Sequence, residues 1–199
     1  MMLHALWHSL QRLYLHIARP QEAGRTRELL YVLRRVPIFQ YLPQTTLHHL
    51  IPLLHQRTYR RQEVLYYEGD PGLGMYIIVE GTVRLLVDVE EAPQELARLG
   101  EYDTCGHLAL LGAFRRLETA QAVTDVQVLG FFRPDLKLLL KRNPSAGAAV
   151  LQALARYVAA RQVELVHVLA ACANRPQALR WWLEAGQQAK RQLPSLLTD

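Results

Sequence analysis

The chain has 199 residues, of which 50% are hydrophobic and 21% charged, and it carries a net charge of +5 with an isoelectric point near 9.4. That composition supports one buried core with helices to spare and excludes a disordered chain. The basic residues are scattered with no run of five or more, which reads as a solvated basic surface and not as a nucleic-acid-binding tail. Two cysteines, Cys105 and Cys172, form neither a metal-ligand spacing nor a disulfide framework, so a reducing cytoplasm is expected. No apolar run reaches membrane-spanning length, and the N-terminal stretch has His and Arg within its apolar pattern, unlike a signal peptide.

The first 19 residues predict an amphipathic helix, with Leu3, Leu6, Trp7, Leu10, Leu13, Tyr14 and Ile17 on one face, ended by Pro20 and Gly24. His4 and His8 are four apart, but with no third ligand nearby they read as polar-face histidines and no metal is expected. A second helix is predicted from Thr26 to Arg35. In "LPQTTLHHLIPLLH", Leu47, Leu50, Leu53 and Leu54 share a face that Pro52 kinks or breaks. From Gln56 the apolar period changes to two. "RTYRRQEVLYYEGD", "MYIIVEGTVRLLVDVE" and "QELARLGEYD" predict strands punctuated by Gly, Asp and Pro turns, and "TAQAVTDVQVLGFF" predicts two more. The chain then returns to helix at Arg133, broken once at "NPSAG", and ends in an amphipathic helix around "RWWLEAGQQAKRQ". Helices, a block of short antiparallel strands, then helices again define an α+β class.

Four blocks taken together, "VPIFQYLPQTTLHHLIPLL", "EGDPGLGMYIIVEGTVRLL", "LGEYDTCGHLALLG" and "VTDVQVLGFF", resemble the cyclic-nucleotide-binding domain, the β-roll family of catabolite activator protein and the protein kinase A regulatory subunit. The resemblance spans about Arg35 to Cys172. It implies an antiparallel, jelly-roll-like double-stranded β-roll with N-terminal helices and a long C-terminal helix, turning at Gly69, Gly81 and Gly106. The division it implies is a helical extension over 1–35, the roll over 36–143 and C-terminal helices over 144–199.

The resemblance also places a phosphate-binding cassette at Cys105, Gly106, His107, Leu108, Ala109 and Leu110, followed by Arg116, Leu117, Glu118 and Thr119. Gly106 would let the backbone approach the ligand, the helix opened by Leu108 and Ala109 would aim free N–H groups at a phosphate, and Arg116 would offer a charge-assisted fork. Two residues depart from the family pattern. His107 stands where the family has the glutamate that accepts the ribose 2′-hydroxyl, and a neutral imidazole still accepts that bond where an imidazolium cannot. Glu118 stands where a small residue is usual; it is expected to bring negative charge into the pocket or to pair with Arg116, with Leu117 adding bulk. At ~4 Å and an effective dielectric of ~20 such a repulsion is about 4 kcal/mol.

No nucleophile, base and orienting group cluster in motif spacing, so no enzyme is expected. Only about thirty residues follow Cys172, which argues against a winged-helix module and sequence-specific DNA binding. Two readings remain open. One is a stand-alone regulatory sensor that binds cyclic AMP, cyclic GMP or another anionic ligand weakly or not at all by the usual cassette, and signals through its C-terminal helix. The other is a ligand-free, degenerate roll acting as a dimeric module for an unknown protein partner. A homodimer is expected through Leu151, Leu154, Val158, Leu165, Val168 and Cys172, which recur at a seven-residue rhythm interrupted by Arg161.

Overall fold

The computed structural model describes residues 23–90 and 92–197. The helix expected over the first 19 residues, with His4 and His8, lies outside the described residues. Helix α1 is described over 23–33, and α2 covers Gln44–Leu50. Pro52 has no N–H to continue α2, and the chain tightens there into a 3-10 turn at Ile51–Leu53.

Among the described residues eight strands follow: β1 (His55–Tyr59), β2 (Val64–Tyr66), β3 (Gly74–Glu80), β4 (Val83–Val89), β5 (Ala92–Leu99), β6 (Thr104–Cys105), β7 (Thr119–Ala122) and β8 (Val126–Phe132). They form two four-stranded sheets in the orders β1-β8-β3-β6 and β2-β7-β4-β5, with every pairing antiparallel. The first sheet is covered on both faces, which explains the unbroken apolar run "MYIIV" in β3. Met75 and Ile77 face the helices, whereas Tyr76 and Ile78 face the second sheet. Strand β8 divides the same way, with Leu129 and Phe131 on the helical side and Val126 and Val128 between the sheets. Gly69, Gly81 and Gly106, where the family resemblance places turns, all have positive φ. At Gly81 a side chain would also strike the Asp125 carbonyl.

Two capped helices leave the roll. Helix α3 (Arg133–Arg142) starts with Pro134 in its first turn, where its missing N–H costs nothing, and Asp135 accepts from the Phe132 N–H at 3.0 Å. Helix α4 (Pro144–Cys172) is capped by Asn143, whose side-chain oxygen accepts from the Ala146 N–H at 3.0 Å. Its first turns bury Ala146, Gly147, Val150 and Leu154 against the roll, each large side chain contributing about 1.5–3 kcal/mol. Beyond them α4 runs clear of the core. Helix α5 (Arg175–Leu197) turns back at Asn174, which caps it through the Gln177 N–H, and runs antiparallel to α4. It is longer than the sequence segment that announced it, and continues through Pro194. Its last turn meets the loop after the cassette, where the Ala113 N–H approaches the Leu196 carbonyl at 3.5 Å.

The heptad residues divide at this point. Leu154 is fully buried in the chain's own core and Leu151 packs against it, so the rhythm over the first half of α4 is the imprint of the roll and not of a seam between copies. Val158 is half-buried beside the cassette, whereas Leu165, Val168 and Cys172 are exposed. Arg161, expected within the seam, reaches the cassette instead.

Candidate functional site

The turn before the cassette sets the site. Strand β6 ends at Cys105, and Gly106, at φ 73°, reverses the chain into a 3-10 helix at His107–Leu110. A Cβ on Gly106 would run into the Arg116 guanidinium, so this glycine is required twice, by its backbone and by its neighbour. Arg116 is fixed by backbone bonds at both ends: its N–H donates to the Asp70 carbonyl and its carbonyl accepts from the Gly69 N–H, both at 2.9 Å. Its side chain is 7% exposed. Nη1 donates to the Gly106 carbonyl at 3.2 Å, and the guanidinium lies 4.0 Å from the centre of the Tyr66 ring. Nε is buried without a partner, and no carboxylate lies within 4 Å of the group among the described residues. A buried cation compensated only by a carbonyl and a ring face is prepared for an anion.

Gly106, His107, Leu108, Ala109, Arg116, Leu117 and Glu118 line one cavity of about 730 Å³, within the range of small-ligand sites. Thr119 stands outside it; its hydroxyl accepts from the Glu68 N–H at 2.9 Å and holds the turn before Gly69. Leu117 is 69% exposed, so it borders the cavity without filling it. Glu118 neither pairs with Arg116 nor hangs free. Its Oε1 accepts from the Tyr66 hydroxyl at 2.7 Å. The cause is the burial of Tyr66 between the sheets, where a phenol needs an acceptor. Burial, reinforced by Cys105 and Glu118, raises the Tyr66 pKa far above the ordinary range, so the phenol stays the donor. Burial also pushes the Cys105 thiol up to about 11 and leaves it inert at neutral pH.

His107 is 6% exposed and lies under α4. Tyr157 meets its ring edge to face at 5.2 Å, and Arg161 Nη1 sits 3.0 Å from His107 Nε2. Arginine can only donate, so Nε2 is the acceptor and the ring proton resides on Nδ1, which is buried without a partner. Burial first, and the Arg161 charge second, push the imidazole down to about 4, which keeps it neutral at physiological pH. The acceptor role expected of His107 is therefore spent on Arg161, and the nitrogen that remains is a donor.

Tyr66, Tyr157 and the inward placement of Arg161 were not singled out as site residues by sequence reasoning. Tyr66 announced itself only as a strand residue, and Arg161 as the polar interruption of an apolar stripe. That interruption was the available signal, since a lone charge on a stripe packed against a roll has to find a polar destination.

The family model of the cyclic nucleotide-binding domain matches residues 56–143. The crystallised N-terminal domain of a transcriptional regulator from Streptomyces coelicolor A3(2) is 31% identical, with a TM-score of 0.61, covering 67% of this chain and 94% of that one. The cyclic AMP receptor protein of Thermus thermophilus is 29% identical over 130 residues, 65% of this chain and 60% of its own length. A cyclic nucleotide-gated potassium channel of Mesorhizobium japonicum is 30% identical over 109 residues, 55% of this chain and 29% of its own length. The chain thus spans less than two thirds of these two curated relatives. The chain belongs to the cyclic nucleotide-binding domain family. No described helix is long and apolar enough to cross a membrane.

Proposed function

We propose that the chain is a regulatory module whose cavity takes an anionic, nucleotide-like ligand and reports its presence through α4. The observation that carries this reading is Arg116, a buried cation with an unpartnered Nε and no carboxylate beside it, held against Gly106 in a cavity of ligand size. The route to α4 is short, since Arg161 and Tyr157 touch the cassette directly at His107. Cyclic AMP and cyclic GMP are expected to bind weakly. The Glu118 carboxylate borders the cavity, and no carboxylate stands at His107 to accept a ribose hydroxyl. The roll over 36–143 is the receiving part and 144–199 the transmitting part. Two free thiols suit a reducing cytoplasm.

Calorimetry with cyclic AMP and cyclic GMP, on the wild type and Arg116→Gln, tests the reading. Saturable binding that Arg116→Gln weakens at least tenfold is expected, and binding indifferent to Arg116 would refute the site. A second reading, a ligand-free dimeric interaction module, is favoured by a different observation. The far half of α4 and helix α5 expose Val163, Leu165, Val168, Trp181, Trp182 and Leu183, each between 40% and 58% exposed, and Val163, Trp182 and Leu183 line the groove between the two helices.

A further inference from the structure

The cavity holds a second guanidinium, in more open surroundings than the first. Arg161, on α4, lines the same cavity as Arg116, and the two groups flank the Gly106–His107 dipeptide: Arg116 bonds the Gly106 carbonyl and Arg161 the His107 ring. Neither has a carboxylate within 4 Å among the described residues. Of the two acids that line the cavity, Glu118 is bonded to the Tyr66 hydroxyl, and Glu164 is exposed, 3.5 Å from His167. On the His107 ring and on Arg161 the groups left to offer are donors. Nε2 is consumed, Nδ1 carries a proton without a partner, and Arg161 has only N–H groups to offer. A sugar hydroxyl placed there can accept from Arg161 but finds no free acceptor on the His107 ring. A phosphate is acceptor-only and takes the Arg161 N–H groups directly.

The geometry points to a ligand with two anionic groups: a nucleotide with one phosphate on Arg116 and a second phosphate, at the sugar position next to His107, on Arg161. This inference rests on the nucleotide-like ligand proposed above and names its class. Arg161 then determines specificity, favouring ligands that bring a second phosphate to it. The second phosphate would also tie α4 to the cassette, because Arg161 comes from the helix and His107 from the roll.

The test is calorimetry at fixed salt on the full chain, with adenosine and guanosine 2′,5′-bisphosphates against cyclic AMP, cyclic GMP and the 5′-monophosphates. The wild type should bind one of the bisphosphates at least tenfold tighter than the singly phosphorylated nucleotides. Arg161→Gln, at an exposed position, should erase that preference. Arg116→Gln should weaken both kinds of ligand. If cyclic nucleotides bind as tightly as bisphosphates, or if Arg161→Gln leaves the preference intact, the second subsite is wrong while the nucleotide reading stands. If no nucleotide binds, or binding ignores Arg116, both are wrong.

Discussion

Acidification should weaken this fold through His107. His107 is held neutral, its pKa lowered from 6.5 to about 4 by burial and by Arg161. The sign follows from proton uptake. Above pH 6.5 the imidazole is neutral in both states, and the native state keeps its full stability. As the pH falls from 6.5 towards 4 the unfolded chain gains a proton that the native state refuses, and stability is lost over that window. The gap between 6.5 and about 4 corresponds to about 3 kcal/mol when fully developed, and to about 2 kcal/mol at pH 5. His107→Gln is the matched control, since a glutamine oxygen can accept from Arg161 and does not titrate. Urea unfolding of both proteins at pH 7 and pH 5 cancels the contributions of the remaining groups. The wild type should lose about 2 kcal/mol more than the variant. Equal losses would refute the reasoning, as would a ring titration seen by NMR with a midpoint at 6.5 or above in the folded protein.

Gly106→Ala should destabilise by about 1–2 kcal/mol from its left-handed backbone, and because the methyl group strikes the Arg116 guanidinium it should also cost nucleotide affinity more than tenfold in calorimetry. Leu154→Ala should lower unfolding free energy by about 3 kcal/mol in denaturant titration, since this side chain is completely buried; a loss under 1 kcal/mol would return it to the surface. Leu165→Glu with Val168→Glu should leave the unfolding of the single chain within about 0.5 kcal/mol, both side chains being half exposed. If the far half of α4 joins two copies, the same pair should convert a dimer to a 22.8 kDa particle in light scattering.

Much of the architecture is written in local chemistry. The change of apolar period at Gln56, the break at Pro52 and the three turn glycines each follow from backbone geometry that a sequence states directly. The near half of α4 was harder to read. An apolar stripe of Leu151 and Leu154 at helical spacing is the same pattern whether it meets a second copy or the chain's own sheet, and only the position of the roll decides between them. The site was legible as residue types but not as pairings. Glu118 and Arg116 are two apart and of opposite charge, which suggests an ion pair. The carboxylate is instead taken by Tyr66, 52 residues earlier, because the buried phenol has greater need of an acceptor. His107 likewise depends on Arg161, 54 residues later, for the choice of its tautomer. Partners that distant in sequence leave no spacing to detect.

The position of β8 governs the order in which this molecule can be made. It lies between β1 and β3 in the first sheet, pairing His55 with Gly130 on one side and Gly74 with Phe132 on the other. Until residue 132 is available, β1 has no neighbour and β3 keeps only the two-residue strand β6. A chain emerging from the ribosome therefore carries most of its strands with their edges bare, and the first sheet closes in one late, non-local step. The second sheet waits similarly for β7, which pairs with both β2 and β4. Chains truncated before Phe132 should therefore be the protease-sensitive, aggregation-prone forms of this protein, and the helices beyond β8 have no completed surface on which to dock until the roll has closed.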